Sequence, residues 1–278
     1  MSQKRVNSGL QFEVLTAVGA RNILKLNVVD NKRMRSLLSY KPTNPAQWAA
    51  IKWLLSELRK IEPNMHSITA TGGEGFFDFI ITRTDKTTFG VSNKWNSTEI
   101  NGSRITPATM SHIPAQLSTL QTSIAFRQVV SGVFTNMKYL KKQHAKFSDL
   151  PGDMKQLQIY QPIRDALASE LGQHPPADLF AAAMGVEGYY ILRGGEHTKI
   201  MGVNLDRSLS CQHTPVPKTI AGIYPNGTMN NDVTVAFRGG YQLKWRIKNK
   251  SSVISDTAIG ITLSLEGTPN NSFVVVKP

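Results

Sequence analysis

One carboxylate inside an apolar run constrains this chain more than any other feature of its sequence. Asp78 stands within the segment Phe76-Phe77-Asp78-Phe79-Ile80, where a buried charge is costly unless a cation or an ion-pair partner compensates for it. Apolar residues occupy both odd-numbered and even-numbered positions of this run, a pattern typical of a strand whose two faces are both buried. We therefore expect Asp78 to lie on or beside a central strand, close to a positive charge.

The next strand-like run supplies a candidate for that positive charge. Residues 87–95 follow a short polar stretch and contain Ser92-Asn93-Lys94. Side chains alternate along a strand, so Ser92 and Lys94 share a face. If the two runs pair as an antiparallel hairpin, Asp78 lies beside Lys94. The pair would then be either a catalytic constellation or a structural salt bridge.

The catalytic interpretation is phosphodiester hydrolysis with Mg²⁺. Asp78 and the backbone carbonyl of Asn93 would bind the cation, which polarises the phosphate and lowers the pKa of bound water. Lys94 would orient or deprotonate the attacking water and offset the charge that develops on the phosphate. Glu13, on a helix before the hairpin, is a candidate second carboxylate, and its alternative is an exposed helix residue.

The composition favours a polyanionic partner. The chain has 32 Lys and Arg against 19 Asp and Glu, a formal net charge of +13, which is typical of nucleic-acid binding or of a surface made soluble by its charge. The single cysteine, Cys211, excludes an intramolecular disulfide and a thiolate metal cluster. With no signal core and no run of about 20 apolar residues, we expect a cytoplasmic protein without membrane residence.

The periodicity predicts an α/β protein with a mixed central sheet flanked by helices. Helices are predicted over 7–15, 44–61, 116–134, 153–171 with a bend or an interruption at Pro162, and 175–185. Strands are predicted over 66–71, 76–84 and 87–95, with a loop over 96–115, and the chain after residue 185 is β-rich. We expect a catalytic core over 1–175 and a β-rich part over 176–278 that contributes DNA recognition, packed together as one body.

The C-terminal run over 237–252 is the strongest candidate for a DNA-contacting surface. As a strand it places Gln242, Lys244, Arg246 and Lys248 on one face and the apolar Leu243, Trp245 and Ile247 on the other. Arg246 and Asn249 suit base recognition in the major groove, whereas the lysines suit phosphates. The alternative is a solvated basic edge strand.

Six segments taken together resemble a known family. They are, in chain order, NSGLQFE, the Asp78 strand, SNKWN, PAQL, PPADLF and GGYQLKWRIKNKSS. The chain resembles the HaeIII-type type II restriction endonucleases of the PD-(D/E)XK superfamily. In that family a small polar residue replaces the middle acid, and here it is Ser92. The resemblance implies a PD-(D/E)XK core with Asp78 as metal ligand, Lys94 as the catalytic lysine and Glu13 as an accessory carboxylate.

Two positions depart from the pattern, since Trp95 follows the lysine and Phe77 replaces the proline of the motif. With the middle acid missing, one metal ion is expected. The resemblance also implies a substrate and a genetic partner: unmethylated double-stranded DNA with a short G/C-rich palindrome, and a cognate DNA methyltransferase. A homodimer would match the palindrome, and a monomer that nicks each strand in turn is the alternative. The residues expected to contact DNA are Asn96, Arg104, Gln116, Arg238, Gln242, Lys244, Arg246, Lys248, Asn249, Ser251 and Ser252.

Three other functions stay open at this stage. The first is a PD-(D/E)XK nuclease of DNA repair or junction processing, which recognises structure and not sequence. The second is a DNA-binding protein without chemistry, in which Asp78 is paired internally. The third and weakest is an RNA-binding module that stacks bases on Trp95, Trp245 and Tyr241.

Overall fold

The computed structural model describes residues 8–41, 43–71, 76–113, 117–185, 187–225, 231–249, 251–267 and 274–277. The helices are α1 Ser8–Asn22, α2 Lys32–Leu38, α3 Pro45–Ile61, α4 Ile124–Gln143, α5 Gly152–Lys155, α6 Gln161–Leu171 and α7 Pro176–Met184. The strands are β1 Asn27–Val28, β2 Met65–Ala70, β3 Phe79–Arg83, β4 Thr88–Trp95, β5 Glu99–Ile105, β6 His112–Ile113, β7 Leu117–Gln121, β8 Tyr189–Gly194, β9 Lys199–Val203, β10 Ile220–Pro225, β11 Asp232–Phe237, β12 Gln242–Lys248, β13 Ile259–Gly267 and β14 Val274–Val276.

The chain folds as two compact units, each assembled from separate segments. The first consists of Met1–Thr98, Gly185–Pro215 and Asn271–Pro278, and the second of Glu99–Met184 and Val216–Asn270. The expected boundary after residue 175 therefore lies inside the second unit. β8 and β9 belong to the first unit although they follow that boundary, because β8 pairs in parallel with β4. The apolar pattern of a strand does not encode which sheet it joins.

The first unit contains a mixed seven-stranded sheet in the order β1-β2-β3-β4-β8-β9-β14. Neighbouring strands run antiparallel except for the parallel pairs β1 with β2 and β4 with β8. The hairpin expected around Asp78 is confirmed, with Phe79 opposite Val91 and Ile81 opposite Phe89. It places the start of β3 beside the end of β4, which is where the candidate site residues lie.

Two predicted helices cover one face of this sheet. α1 buries Phe12 and Leu15, and α3 buries Ile51, Leu54 and Leu58, in a core that also holds the inward side chains of β3, β4 and β8. The Asn44 side chain caps α3 by accepting a hydrogen bond from the backbone amide of Gln47, as Asn does at helix starts. The helices expected over 7–15 and 44–61 are thus confirmed from Ser8 and Pro45 onward.

The second unit contains a five-stranded antiparallel sheet in the order β10-β11-β12-β13-β5, together with the small pair β6 and β7. β12 confirms the expected alternation. Its residues Leu243, Trp245 and Ile247 are fully buried, and the polar residues between them are more exposed.

Two predictions in this unit were wrong. The expected loop over 96–115 contains β5, which pairs with β13, and β6. The expected helix over 116–134 begins only at Ile124, because the Ser123 side chain accepts a hydrogen bond from the Phe126 amide and caps it. Part of the segment before that cap is the strand β7.

The α-helix expected over 153–171 is interrupted near Pro162. A π-helical segment, Gln156–Tyr160, joins α5 to α6, which begins at Gln161. Proline has no amide hydrogen and disturbs the preceding turn of a helix.

Among the described residues, no helix is long and apolar enough to cross a membrane.

Candidate active site

Asp78 is fixed between two strands by hydrogen bonds of its backbone and its side chain. Its amide donates to the Val91 carbonyl at 2.8 Å, and its own carbonyl accepts from the Thr71 amide at 2.9 Å. The Asn93 amide donates to Oδ2 of Asp78 at 2.6 Å. The carboxylate therefore lies against β4 one residue before Lys94, as the sequence predicts.

The environment of Asp78 disfavours its negative charge. Burial raises the pKa of this carboxyl above its usual value, although Lys94, the Asn93 amide and Arg33 act in the opposite direction. Loss of hydration thus outweighs the positive groups nearby. An additional cation at this position would be stabilised.

Glu13 of α1 joins Asp78 at this end of the sheet. Its pKa is raised chiefly by burial and next by the charge of Asp78, against the lowering effects of Arg33 and Lys94. Its carboxylate accepts a hydrogen bond from the guanidinium of Arg33 on α2. The two carboxylates are thus close enough to repel each other, and the alternative interpretation of Glu13 as an exposed helix residue does not describe its position.

Lys94 lies close to both carboxylates without being paired to either. Its charge affects the pKa values of Asp78 and Glu13, yet no ion pair of the described residues includes it. A structural salt bridge between Asp78 and Lys94, the alternative drawn from the sequence, is therefore not formed. The half-buried ammonium keeps its hydrogen-bond donors for another partner.

The side chains of Ser92 and Asn93 on β4 carry buried polar atoms. The Ser92 hydroxyl and both polar atoms of the Asn93 side chain have no hydrogen-bond partner within the described parts of the chain. Such atoms are uncommon in folded proteins, and water or an ion is one kind of partner that satisfies them. The amide and carbonyl of a residue in an antiparallel ladder face the same neighbour, so the Asn93 carbonyl opens toward the Asp78 side of β4.

Few protein groups at this site could hold a cation. Nowhere in the described residues do three or more His, Cys, Asp or Glu side chains form a metal-binding group. The site offers two carboxylates and a backbone carbonyl instead. Mg²⁺ is commonly bound by one or two carboxylates and keeps several of its waters, so the limited set of protein ligands suits it.

The basic face of β12 in the second unit is largely neutralised by acidic side chains. Arg246 donates two hydrogen bonds of 2.9 Å to Asp232. Lys244 lies 3.0 Å from Glu266, and Lys248 lies 2.6 Å from Glu99. The acids belong to β11, β13 and β5, so their proximity follows from the sheet order. The sequence prediction treated this face as free to meet DNA, and it did not anticipate these partners.

Three of the other residues expected to contact DNA come together in the second unit. Arg104, Asn249 and Ser251 line one cleft of about 330 Å³, which Lys141 and Asp256 also line as an ion pair of 2.8 Å. Gln242 is exposed at the start of β12. Arg238 follows β11 in a turn and donates its amide to Thr219, and the Ser252 carbonyl accepts from Phe147. Gln116 lies outside the described residues.

Asn96 lies in the first unit, just beyond Lys94. Its φ of +49° places it in the left-handed region, and its side-chain oxygen accepts from the Glu196 amide at 3.2 Å. A Cβ on Gly195 would approach that oxygen to 1.7 Å, so only glycine fits there. Asn96 lines a pocket of about 700 Å³.

Sequence reasoning missed Arg33, Arg193 and Lys199, which lie near the site residues or pair with their strands. No motif marks them, and their positions follow from α2 and from the order of β4, β8 and β9.

Comparisons with protein-family models, curated proteins and solved structures give no match to this chain.

Proposed function

We propose that this protein is a Mg²⁺-dependent endonuclease with a PD-(D/E)XK-like core that hydrolyses phosphodiester bonds of DNA. The observation that carries the proposal is the convergence of Asp78, Glu13 and Lys94 at the end of β4, with Lys94 in no ion pair of the described residues. Two incompletely compensated carboxylates beside an unpaired ammonium suit a cation and a phosphate together better than they suit a stable interior.

Each residue has a distinct role in this proposal. Asp78, Glu13 and the Asn93 carbonyl would hold Mg²⁺, which when bound polarises the phosphate and makes a nucleophile of water at neutral pH. Lys94 orients that water and offsets the charge that develops on the phosphate. Ser92 replaces a third carboxylate with a neutral hydroxyl, which leaves fewer negative charges for metal ions to neutralise.

The substrate class rests on the resemblance and on the charge of the chain. We place the protein among type II restriction endonucleases that cut double-stranded DNA at a short G/C-rich palindrome, in a cytoplasm where a cognate methyltransferase protects the host site. The net charge of +13 supports a polyanionic substrate. A homodimer would contact both halves of the palindrome at once, and a monomer would nick the strands in turn.

A second candidate function is a PD-(D/E)XK nuclease of DNA repair or junction processing. The ion pairs of Lys244, Arg246 and Lys248 favour it, because side chains already paired with acids are less available for reading bases. This enzyme would use the same catalytic residues on a substrate chosen by its shape.

Digestion of plasmid DNA followed by sequencing of the ends tests both candidates. A restriction enzyme gives discrete bands in Mg²⁺ and none in EDTA, with one short sequence at every end. A structure-selective nuclease gives ends without a shared sequence and prefers branched DNA. Intact DNA in Mg²⁺, bound equally well with and without the metal, would leave only a DNA-binding protein without chemistry.

A further inference from the structure

A row of cations crosses three adjacent strands of the first unit and starts at Lys94. Lys94 of β4 is the register partner of Arg193 on β8, and Arg193 is the register partner of Lys199 on β9. Register partners on neighbouring strands project from the same face of a sheet. Strands lie about 4.8 Å apart, so the row extends roughly 10 Å from the candidate catalytic lysine.

Two cations of the row, Arg193 and Lys199, lie directly opposite each other on β8 and β9. Like charges placed directly opposite each other destabilise a sheet, and Arg193 is only 7% exposed. Burial and then the charge of Arg193 lower the pKa of Lys199. No ion pair of the described residues includes Lys199, so an anion bound between the two side chains would relieve their repulsion.

The row opens into a pocket large enough for part of a nucleic-acid strand. Arg193 and Lys199 line a cavity of about 700 Å³ at the carboxyl ends of β4 and β8, next to Trp95. The exposed Lys277, which follows β14, lines the same cavity and adds a third cation. Glu196 is its only acidic lining residue among those described, so the formal charge of the lining is positive.

We propose that Arg193, Lys199 and Lys277 bind backbone phosphates of the DNA strand beside the phosphate that is cut. The identity of the ligand as DNA rests on the proposed function. Successive phosphates of one DNA strand follow each other along its backbone, so cations that continue from Lys94 across β8 and β9 would meet phosphates next to the one that is cut. Contacts of this kind position the substrate in the active site without reading its sequence.

The salt dependence of DNA binding tests this surface without any cleavage. The affinity of a fluorescent duplex is measured by anisotropy in EDTA, between 50 and 200 mM salt, for the wild type, Lys199→Gln and Lys277→Gln. The control is Lys86→Gln, which removes an exposed lysine in the turn between β3 and β4, at the opposite end of the hairpin. Each lost phosphate contact lowers the slope of log affinity against log salt by about 0.9.

We expect a slope reduced by about 0.9 for Lys199→Gln and for Lys277→Gln, and an unchanged slope for Lys86→Gln. The ratio of the wild-type affinity to the variant affinity for the duplex should therefore fall about threefold between 50 and 200 mM salt. Lys277 is exposed on the chain after β14, so its variant keeps the test valid if Lys199→Gln does not fold. Slopes equal to the wild type in the folded variants would overturn the proposal.

Two further measurements distinguish this proposal from a site for small anions and from the proposed nuclease function. Calorimetry with inorganic phosphate identifies a site for small anions: phosphate binding that Lys199→Gln abolishes, with an unchanged DNA slope, overturns the DNA assignment. Cleavage in Mg²⁺ is recorded in parallel. If the wild type does not cut DNA but the Lys199→Gln and Lys277→Gln variants have reduced salt slopes, the phosphate contacts are supported and the nuclease function is refuted. If the wild type cuts DNA but the slopes of these variants are unchanged, the nuclease function is supported and the phosphate contacts are refuted.

Discussion

The backbone amide of Asn93 donates a hydrogen bond to Oδ2 of Asp78 at 2.6 Å, which links the Asp strand to the strand of the Ser92-Asn93-Lys94 motif. This bond holds one carboxylate oxygen of Asp78 against β4. Lys94 follows Asn93 directly, so the same bond sets the backbone position of the lysine relative to the acid. The site is therefore preorganised by the register of two strands.

Replacing Asp78 with Asn tests the role of its charge. We expect Asp78→Asn to lower Mg²⁺-dependent cleavage on the order of 100-fold or more. The melting temperature should stay equal or rise, because burial opposes ionisation of this carboxyl. Plasmid cleavage and thermal unfolding without metal are the two measurements. A variant that melts lower and cuts normally would show that Asp78 is structural.

Glu13 is predicted to act as a second metal ligand. We expect Glu13→Gln to weaken the apparent affinity for Mg²⁺ by about 10- to 100-fold, measured as the metal concentration that gives half-maximal cleavage. Glu57→Gln is the control, since Glu57 pairs with Lys60 on α3. If both variants need the same Mg²⁺ concentration as the wild type, Glu13 only anchors Arg33.

A buried network around Glu62 is predicted to make the first unit sensitive to acid. Arg83 donates to both oxygens of Glu62 at 2.9 and 3.0 Å, and Tyr190 and the Ser210 amide donate to it at 2.8 Å. Burial alone would raise the pKa of Glu62, but these hydrogen bonds outweigh it and the pKa lies below its usual value. The carboxylate therefore stabilises the fold above its unfolded pKa, and this contribution is lost as pH falls through the folded pKa.

The corresponding variant is Glu62→Gln, which leaves Arg83 buried beside a neutral amide. We expect a loss of about 3 kcal/mol in the free energy of unfolding at pH 7. Urea unfolding at pH 7 and near pH 3 measures the difference between wild type and variant, which should shrink at the lower pH. An equal difference at both values would contradict the proposed role of the ionised carboxylate.

The ion pairs of β12 lead to a prediction about sequence recognition. Arg246 already donates two of its five N–H groups to Asp232, so only the remaining donors are available for a guanine while this pair is intact. If it reads a base, Arg246→Gln should cost about 1–3 kcal/mol of discrimination between the cut site and a site with one changed base pair. Lys138→Gln, on α4, is the control for lost charge. Unchanged discrimination would favour the structure-selective nuclease.

Local patterns in the sequence predicted the hairpin well. The alternation of residues 87–95, the apolar run around Asp78 and the cap at Asn44 each depend on neighbouring residues, and the structure confirms their elements. Ser123 is also a local signal, since a Ser before an apolar helix is a common cap. The helix predicted from residue 116 does not take this signal into account, and the helix begins after Ser123.

Relations between distant segments were not predictable in this way. The pairing of β8 with β4 unites segments separated by the whole stretch Glu99–Met184 of the second unit, and this pairing aligns Arg193 with Lys94. The contact between Lys248 and Glu99 likewise joins residues 149 positions apart. Periodicity reports which face of an element is buried, whereas these partners depend on the order of strands in a sheet.

The central claim is that Lys94 acts in catalysis beside Asp78 and does not serve the fold. The most direct measurement compares Lys94→Ala with Lys86→Ala for single-turnover cleavage of plasmid DNA in Mg²⁺ and for DNA binding in EDTA. We expect Lys94→Ala to reduce cleavage by about 10²- to 10⁴-fold while binding and melting temperature stay close to those of Lys86→Ala. Cleavage by Lys94→Ala at the rate of Lys86→Ala would contradict the claim.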